Sequence, residues 1–95
     1  ELSVHPEWAI DLAKKQVATL AGSGSITISV HPQQLEDFKA FREDLLDSAD
    51  GIREIIFKPE ESIEFGDIII EHKEGKIDSG LRKQIIALKE HITGQ

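Results

Sequence analysis

The stretch SITISVH, residues 25–31, decides the fold that we expect for this chain. Isoleucine and valine alternate strictly with serine, threonine and histidine, which is the pattern of a β-strand with one buried and one wetter face. Pro32 follows at once, and it suits the first position of a helix because its missing N–H would have no partner there. The sequence therefore predicts a strand that leads directly into a helix.

Helices and strands continue on both sides of this stretch. The spacing of apolar residues predicts one helix over 6–21 and another over 32–48. The remaining predicted elements are strands over 52–58, 68–72 and 76–77, and a helix that begins at Asp78 or Ser79. The order αβαβββα predicts an α/β (α+β) fold with a small mixed sheet of three to four strands and helices packed on it. The first two strands should be parallel, and the later ones should return as an antiparallel hairpin.

Length and composition narrow the class of protein. The 95 residues are enough for one domain, which we expect to span 1–95, and 39% of them are hydrophobic. With 18 acidic against 11 basic residues the net charge is −7, which argues against binding nucleic acid or an anionic membrane through overall charge. No apolar run approaches the ~20 residues of a membrane span. The chain has no cysteine, so disulfides are excluded.

The tetrapeptide SVHP occurs twice, at 3–6 and at 29–32, and each copy precedes a predicted helix. Outside the tetrapeptide, the two helix-then-strand segments share little beyond their amphipathic pattern. A solenoid would need at least about three repeats to bury its faces. A shared way of starting a helix is therefore favoured over a duplicated unit.

The histidines do not have the spacing of a known metal site. There are four of them: His5, His31, His72 and His91. No two are four residues apart, and no HExxH or paired CxxC motif is present. A site could still form if His31 and His72 lay at neighbouring strand ends with Glu71 or Glu74 nearby. Solvated surface histidines are the favoured interpretation, and we expect no bound metal.

Catalytic motifs are also missing. Four carboxylates precede the third strand, but nothing places two of them around a cleft: Glu60, Glu61, Glu64 and Asp67. The glycines at 22–24 follow a helix and lead into a strand, which is the reverse of the order that phosphate-binding loops require. We therefore expect no enzyme activity, no catalytic residue and no cofactor.

Two features point to an interaction surface. Trp8, near the start of the first helix, is either a core residue or an anchor for a partner, since aromatic residues dominate interface hot spots. The isoleucines of 68–70 point to both faces of their strand, so a second surface should be covered by the domain itself, a second copy or a foreign helix.

The order of elements also allows a small RNA-binding α/β module. The missing GxxG loop, the absence of tyrosine and the acidic balance oppose that alternative.

Two stretches of the chain are SITISVHPQQLEDF, a strand, V-x-P and an acidic helix, and GDIIIEHKEGKIDSGLRKQIIALKEHI, a strand, a turn and a helix. Both resemble the corresponding segments of a known family, the FliH/YscL (SctL) proteins of flagellar and virulence type III secretion. The matching positions of the second stretch are Gly66, Gly75, Ile77, Asp78, Leu81 and Gln84, with Leu88 one turn further on. By this resemblance Gly75 forms the hairpin turn, Asp78 caps the last helix, and Leu81 and Leu88 seat that helix on the sheet. Gly80 departs from the expected pattern.

The resemblance implies a non-catalytic stator domain that binds the N-terminal region of a secretion ATPase and restrains its activity. It implies a bacterial cytoplasmic protein at the inner face of a secretion apparatus, associated with the membrane only through that apparatus. Because the chain begins at Glu1, we expect it to be the C-terminal domain of a longer protein whose N-terminal coiled coil forms a homodimer. A related alternative is a domain from the peripheral stalk of a rotary ATPase, to which this family is distantly related.

The contact implied by the resemblance is an apolar face that accepts an amphipathic helix. We expect it on the first and last helices, at these residues: Trp8, Leu12, Ile85, Leu88 and Ile92.

Overall fold

The computed structural model describes residues 6–80 of the chain. Its elements in chain order are α1 (Pro6–Ala18), β1 (Gly24–Val30), a short 3₁₀ helix (Pro32–Gln34), α2 (Leu35–Ala40), α3 (Arg42–Leu46), β2 (Ile52–Pro59), β3 (Asp67–His72) and β4 (Gly75–Gly80). The predicted α/β (α+β) fold class is confirmed. Within this part of the chain, no helix combines the length and the apolar character that a membrane crossing requires.

The strands form one mixed sheet in the order β2-β1-β3-β4. β1 is parallel to β2 and antiparallel to β3, and β3 forms a hairpin with β4. The parallel pair and the hairpin are as predicted. The predicted strand over 76–77 is too short, because β4 pairs with the whole of β3: Gly75 lies opposite His72, and Gly80 lies opposite Asp67.

A β-bulge interrupts β2 near its start. The partner of Gly24 is Ile52, but the next residue of β1 pairs with Glu54, so Arg53 is the extra residue. The bulge lets Ile52 and Ile55 point to the same face although three positions separate them. From Ile55 onward the strand alternates regularly, as the sequence pattern predicts.

The core lies between one face of the sheet and the helices. It contains the apolar residues of β1 that alternate in the sequence, together with residues from each α-helix and from β2 and β3. Its fully buried large members include Phe38, Ile10, Ile26, Ile28, Leu45, Ile68 and Ile70.

The predicted helix over 32–48 is divided into three short pieces. Phe41 has φ −105° and ψ 17°, outside the helical region, and its N–H donates to the carbonyl of Phe38 at 3.1 Å. This local turn separates α2 from α3 and leaves Phe41 partly buried against the core. The break does not disturb the predicted inward positions, since Phe38 and Leu45 are both fully buried.

Two glycine-containing loops hold the starts of β1 and β2 together. The Gly22 N–H donates to the carbonyl of Asp50 at 2.9 Å, and the Gly24 N–H donates to the carbonyl of Gly51 at 2.8 Å. Gly22 and Gly51 have φ of +84° and +80°, which L-residues with a Cβ rarely adopt. The loops therefore depend on glycine, and they set the register of the parallel strands.

The second SVHP copy is a helix start. Pro32 occupies the first turn of the 3₁₀ helix, and the Nδ1 of His31 accepts a hydrogen bond from the Gln33 N–H at 3.0 Å. The histidine thus takes the role that serine or aspartate commonly has at an N-cap. Pro6 is likewise the first residue of α1, whereas residues 3–5 of the first copy lie outside the described part of the chain.

Candidate partner-binding surface

Trp8 lies on the surface of α1. Its side chain is 50% exposed, so the alternative that it is an ordinary core residue is wrong. Besides Ile10, the core side of α1 is formed by a line of smaller residues, Ala9, Ala13 and Val17, which are completely buried. Their spacing of four residues places them on one face of the helix.

Leu12 lies one turn after Trp8 on the same side of α1. It is buried, with 8% of its surface exposed, but it does not belong to the main core cluster of the described residues. α1 therefore carries two apolar lines, one against the sheet and one that includes Trp8 and Leu12. The second line is the candidate partner-binding surface, which we call the Trp8 face. Trp8 is the member that a partner can reach, since Leu12 is already buried.

The predicted residues of the last helix cannot be placed beside the Trp8 face. They lie outside the described residues, and their roles stay predictions: Leu81, Gln84, Ile85, Leu88 and Ile92.

The glycines of the resembling motif support the loops before and within the β3–β4 hairpin. Gly66 has φ +94°, and Gly75 has φ +146° at the hairpin turn. The buried Gly66 N–H donates to Oε1 of Gln34 at 2.8 Å. Gln34 is completely buried, and its supporting role was missed from the sequence because an isolated glutamine in a polar stretch gives no signal of burial.

The prediction that Asp78 caps the last helix is wrong. It lies inside β4 opposite Ile69, and Ser79 lies opposite Ile68. The strand continues because β3 still offers paired backbone positions up to Asp67, and a hydrogen-bonded ladder satisfies more backbone groups than an early helix start.

The second face of the sheet is partly apolar. Ile68 and Ile70 point into the core, whereas Ile69 points to the other side and is half-buried. This confirms the prediction that the isoleucines of β3 serve both faces. Ile56 of β2 is on the same outer face and is 46% exposed.

The two central histidines are too far apart to share a metal. β1 and β3 are antiparallel, with Val30 opposite Ile68. His31, just after β1, therefore lies at the opposite end of the sheet from His72, the last residue of β3. The hypothesis that they occupy neighbouring strand ends is wrong. Over residues 6–80, no three histidine, aspartate or glutamate side chains are grouped as metal ligands would be.

Comparison with known proteins supplies the family. A family model described as "Flagellar assembly protein FliH" matches residues 1–88. A search among curated proteins gives no match. The family match covers most of the chain and includes every described element, from α1 to the β3–β4 hairpin. The chain belongs to the FliH family.

Proposed function

We propose that this chain is a non-catalytic domain that binds the ATPase of a flagellar export apparatus and restrains its activity. The observation that carries the proposal is the half-exposed Trp8 beside the buried Leu12 on α1. The description of the family, a flagellar assembly protein, supports it. No sequence motif or described side-chain cluster suggests chemistry that would compete with a binding role.

The Trp8 face suits an amphipathic helix from the partner. Such a helix places one apolar stripe in a groove and leaves its polar side in water. Covering the exposed half of the Trp8 indole, about 100 Å² of apolar surface, would contribute on the order of 2 kcal/mol to binding. The partner helix we propose belongs to the N-terminal region of the ATPase.

The arrangement in the cell follows from this role. As a stator, the protein would act in the bacterial cytoplasm at the inner face of the export apparatus, and it would reach the membrane only through that apparatus. A homodimer formed by preceding residues would give each ATPase contact a fixed support. The flagellar description of the family favours flagellar export over a virulence system. No specific observation favours a rotary-ATPase stalk or an RNA-binding module.

The test compares two aromatic substitutions. Trp8→Ala should weaken binding to the ATPase at least about ten-fold in titration calorimetry, because that factor corresponds to ~1.4 kcal/mol. It should also relieve the restraint on ATP hydrolysis. Phe65→Ala is the matched control, since Phe65 is 39% exposed, lies in the loop between β2 and β3, and contacts His31. It should change the affinity by less than about threefold.

A second arm removes the N-terminal segment of the ATPase. Binding should be lost with that segment and kept when other parts of the ATPase are shortened. Binding that survives the deletion, or equal losses from the two aromatic substitutions, would show that the Trp8 face is not the contact.

A further inference from the structure

β2 is an edge strand. In the sheet order β2-β1-β3-β4, one side of β2 pairs with β1 and the other has no strand beside it among the described residues. The bulge at Arg53 and the proline at 59 limit the regular part of this edge to residues 54–58. An edge of this kind presents backbone N–H and C=O groups that an extended segment can pair with.

An open groove of about 360 Å³ runs along this edge. Arg42 and Leu46 line it on the helix side, and residues 53–57 line it on the strand side. Its apolar lining includes Leu46 and Phe57. We call it the β2 groove, and it shares no residue with the Trp8 face.

Two arginines and one carboxylate, Glu54, line the β2 groove, so its net charge is positive in an acidic chain. Oε1 of Glu54 accepts a hydrogen bond from the Ser25 hydroxyl at 3.2 Å. The Arg42 guanidinium lies over the Phe57 ring, 5.1 Å from its centroid. Within residues 6–80 neither Arg42 nor Arg53 has a carboxylate partner, since the ion pairs there use lysines. Guanidinium groups bind carboxylates through paired, charge-assisted hydrogen bonds. The groove therefore offers two such donors beside an apolar floor.

We propose that the β2 groove binds an extended segment of a partner protein that carries acidic and aliphatic side chains and adds to β2 as a further strand. Backbone hydrogen bonds to residues 54–58 would hold the segment in register. On the groove side, an aliphatic residue would contact Leu46 and Phe57, and carboxylates two positions away on either side would reach Arg42 and Arg53. This site does not depend on the ATPase contact proposed for the Trp8 face.

The charge of the groove and the unpaired backbone edge of β2 together favour an extended acidic segment over the other kinds of partner. A basic segment would be repelled by the two guanidiniums, and a helix would leave the edge N–H and C=O groups of β2 unpaired. A second copy paired through the same edge would bring two more unpaired guanidiniums to one seam. An acidic strand satisfies both the backbone and the arginines.

The probe is a pair of synthetic peptides of about ten residues, one with the central sequence Glu-Thr-Val-Thr-Glu and one with Lys-Thr-Val-Thr-Lys. Each is titrated into the isotopically labelled chain and followed by amide chemical shifts and hydrogen exchange. The acidic peptide should shift residues 53–58 and slow the exchange of the outward amides of β2. Its affinity should fall as salt is raised, whereas the lysine peptide should leave β2 unchanged.

The variants separate the arginine site from general charge. Arg53→Gln should weaken the binding of the acidic peptide at least about fivefold. The double substitution of Arg42→Gln and Arg53→Gln should weaken it at least about twentyfold. Lys58→Gln is the matched control, because Lys58 is exposed on the same strand but does not line the groove. It should change the affinity by less than about twofold. Circular dichroism checks that each variant is folded, and Arg53→Gln alone is decisive because Arg53 is exposed and lies outside the core cluster.

Four results would overturn the proposal. They are the absence of shifts in β2 at millimolar peptide, equal binding of both peptides, an equal loss from Lys58→Gln, and concentration-dependent dimerisation of the chain through residues 54–58.

Discussion

Replacing Gly51 by alanine tests whether the two glycine loops hold β1 and β2 in register. A Cβ on Gly51 would lie 2.7 Å from the Cα and 2.8 Å from the N of Gly22. Both contacts are with backbone, so no side-chain rotation can relieve them, and the loops have to move apart. Gly51 also has φ +80°, which alanine adopts only with strain.

The expected loss of stability has two parts. The positive φ costs alanine about 1 kcal/mol. Moving the loops apart weakens the hydrogen bonds from Gly22 N–H and Gly24 N–H to the opposite loop, at about 1 kcal/mol each. We therefore expect Gly51→Ala to lower the free energy of unfolding by about 2–4 kcal/mol, a large fraction of the total for a chain of this size.

Gly22→Ala is the matched control. Gly22 has nearly the same φ, +84°, but a Cβ there would meet nothing within 4 Å. It should cost only about 1 kcal/mol, the strain of the positive φ. Urea unfolding followed by far-ultraviolet circular dichroism gives both values by linear extrapolation. Equal losses from the two substitutions would refute the steric part of the reasoning, and a larger loss from Gly22→Ala would refute all of it.

Three further predictions test individual contacts. Gln34→Leu leaves the buried Gly66 N–H without its acceptor and should lower the free energy of unfolding by about 1–3 kcal/mol in urea; an unchanged value would contradict the hydrogen bond. His31→Ala removes the acceptor at the start of the 3₁₀ helix and should cost about 1 kcal/mol, whereas His31→Asn keeps an acceptor and should cost less than half as much. Equal costs in the same titration would argue against capping. Trp8→Ala should cost less than about 1 kcal/mol in thermal unfolding, and Ile10→Ala about 2–5 kcal/mol; the reverse order would mean that Trp8 supports the core.

The alternating pattern of SITISVH was enough to predict β1 and its inward residues, because a period of two has one simple structural explanation. The parallel pairing with β2 followed from the helix between the two strands. The bulge at Arg53 was not predictable, since it depends on how Gly24 pairs across the sheet. Likewise, the turn at Phe41 interrupts a continuous helical pattern, and packing against the core decides it.

The end of β4 shows how tertiary pairing overrides a local signal. Asp78 and Ser79 before an amphipathic stretch are a good sequence signal for a helix start. The antiparallel ladder with β3 extends the strand to Gly80 all the same. The local sequence pattern does not show how many backbone positions of the neighbouring strand are still available for pairing.

The candidate site was only partly predictable for a different reason. Helical spacing puts Trp8 and Leu12 on one face of α1, but it left open whether Trp8 belongs to the core or contacts a partner. The core side of α1 is formed by Ile10 together with Ala9, Ala13 and Val17, and the last three are small. Small residues give a weak hydrophobic signal, so the sequence pattern alone did not show which side of α1 faces the sheet.

The extra residue in β2 also bears on how the protein behaves when crowded. Long, flat, apolar strand edges are where sheets from different molecules stack into fibrils. In this chain the straight stretch that Arg53 and Pro59 leave between them is only 54–58, and it carries a charge at each end. Such an edge is long enough to pair with one short peptide, but it is too short and too charged to start the stacking of strands into an amyloid fibril.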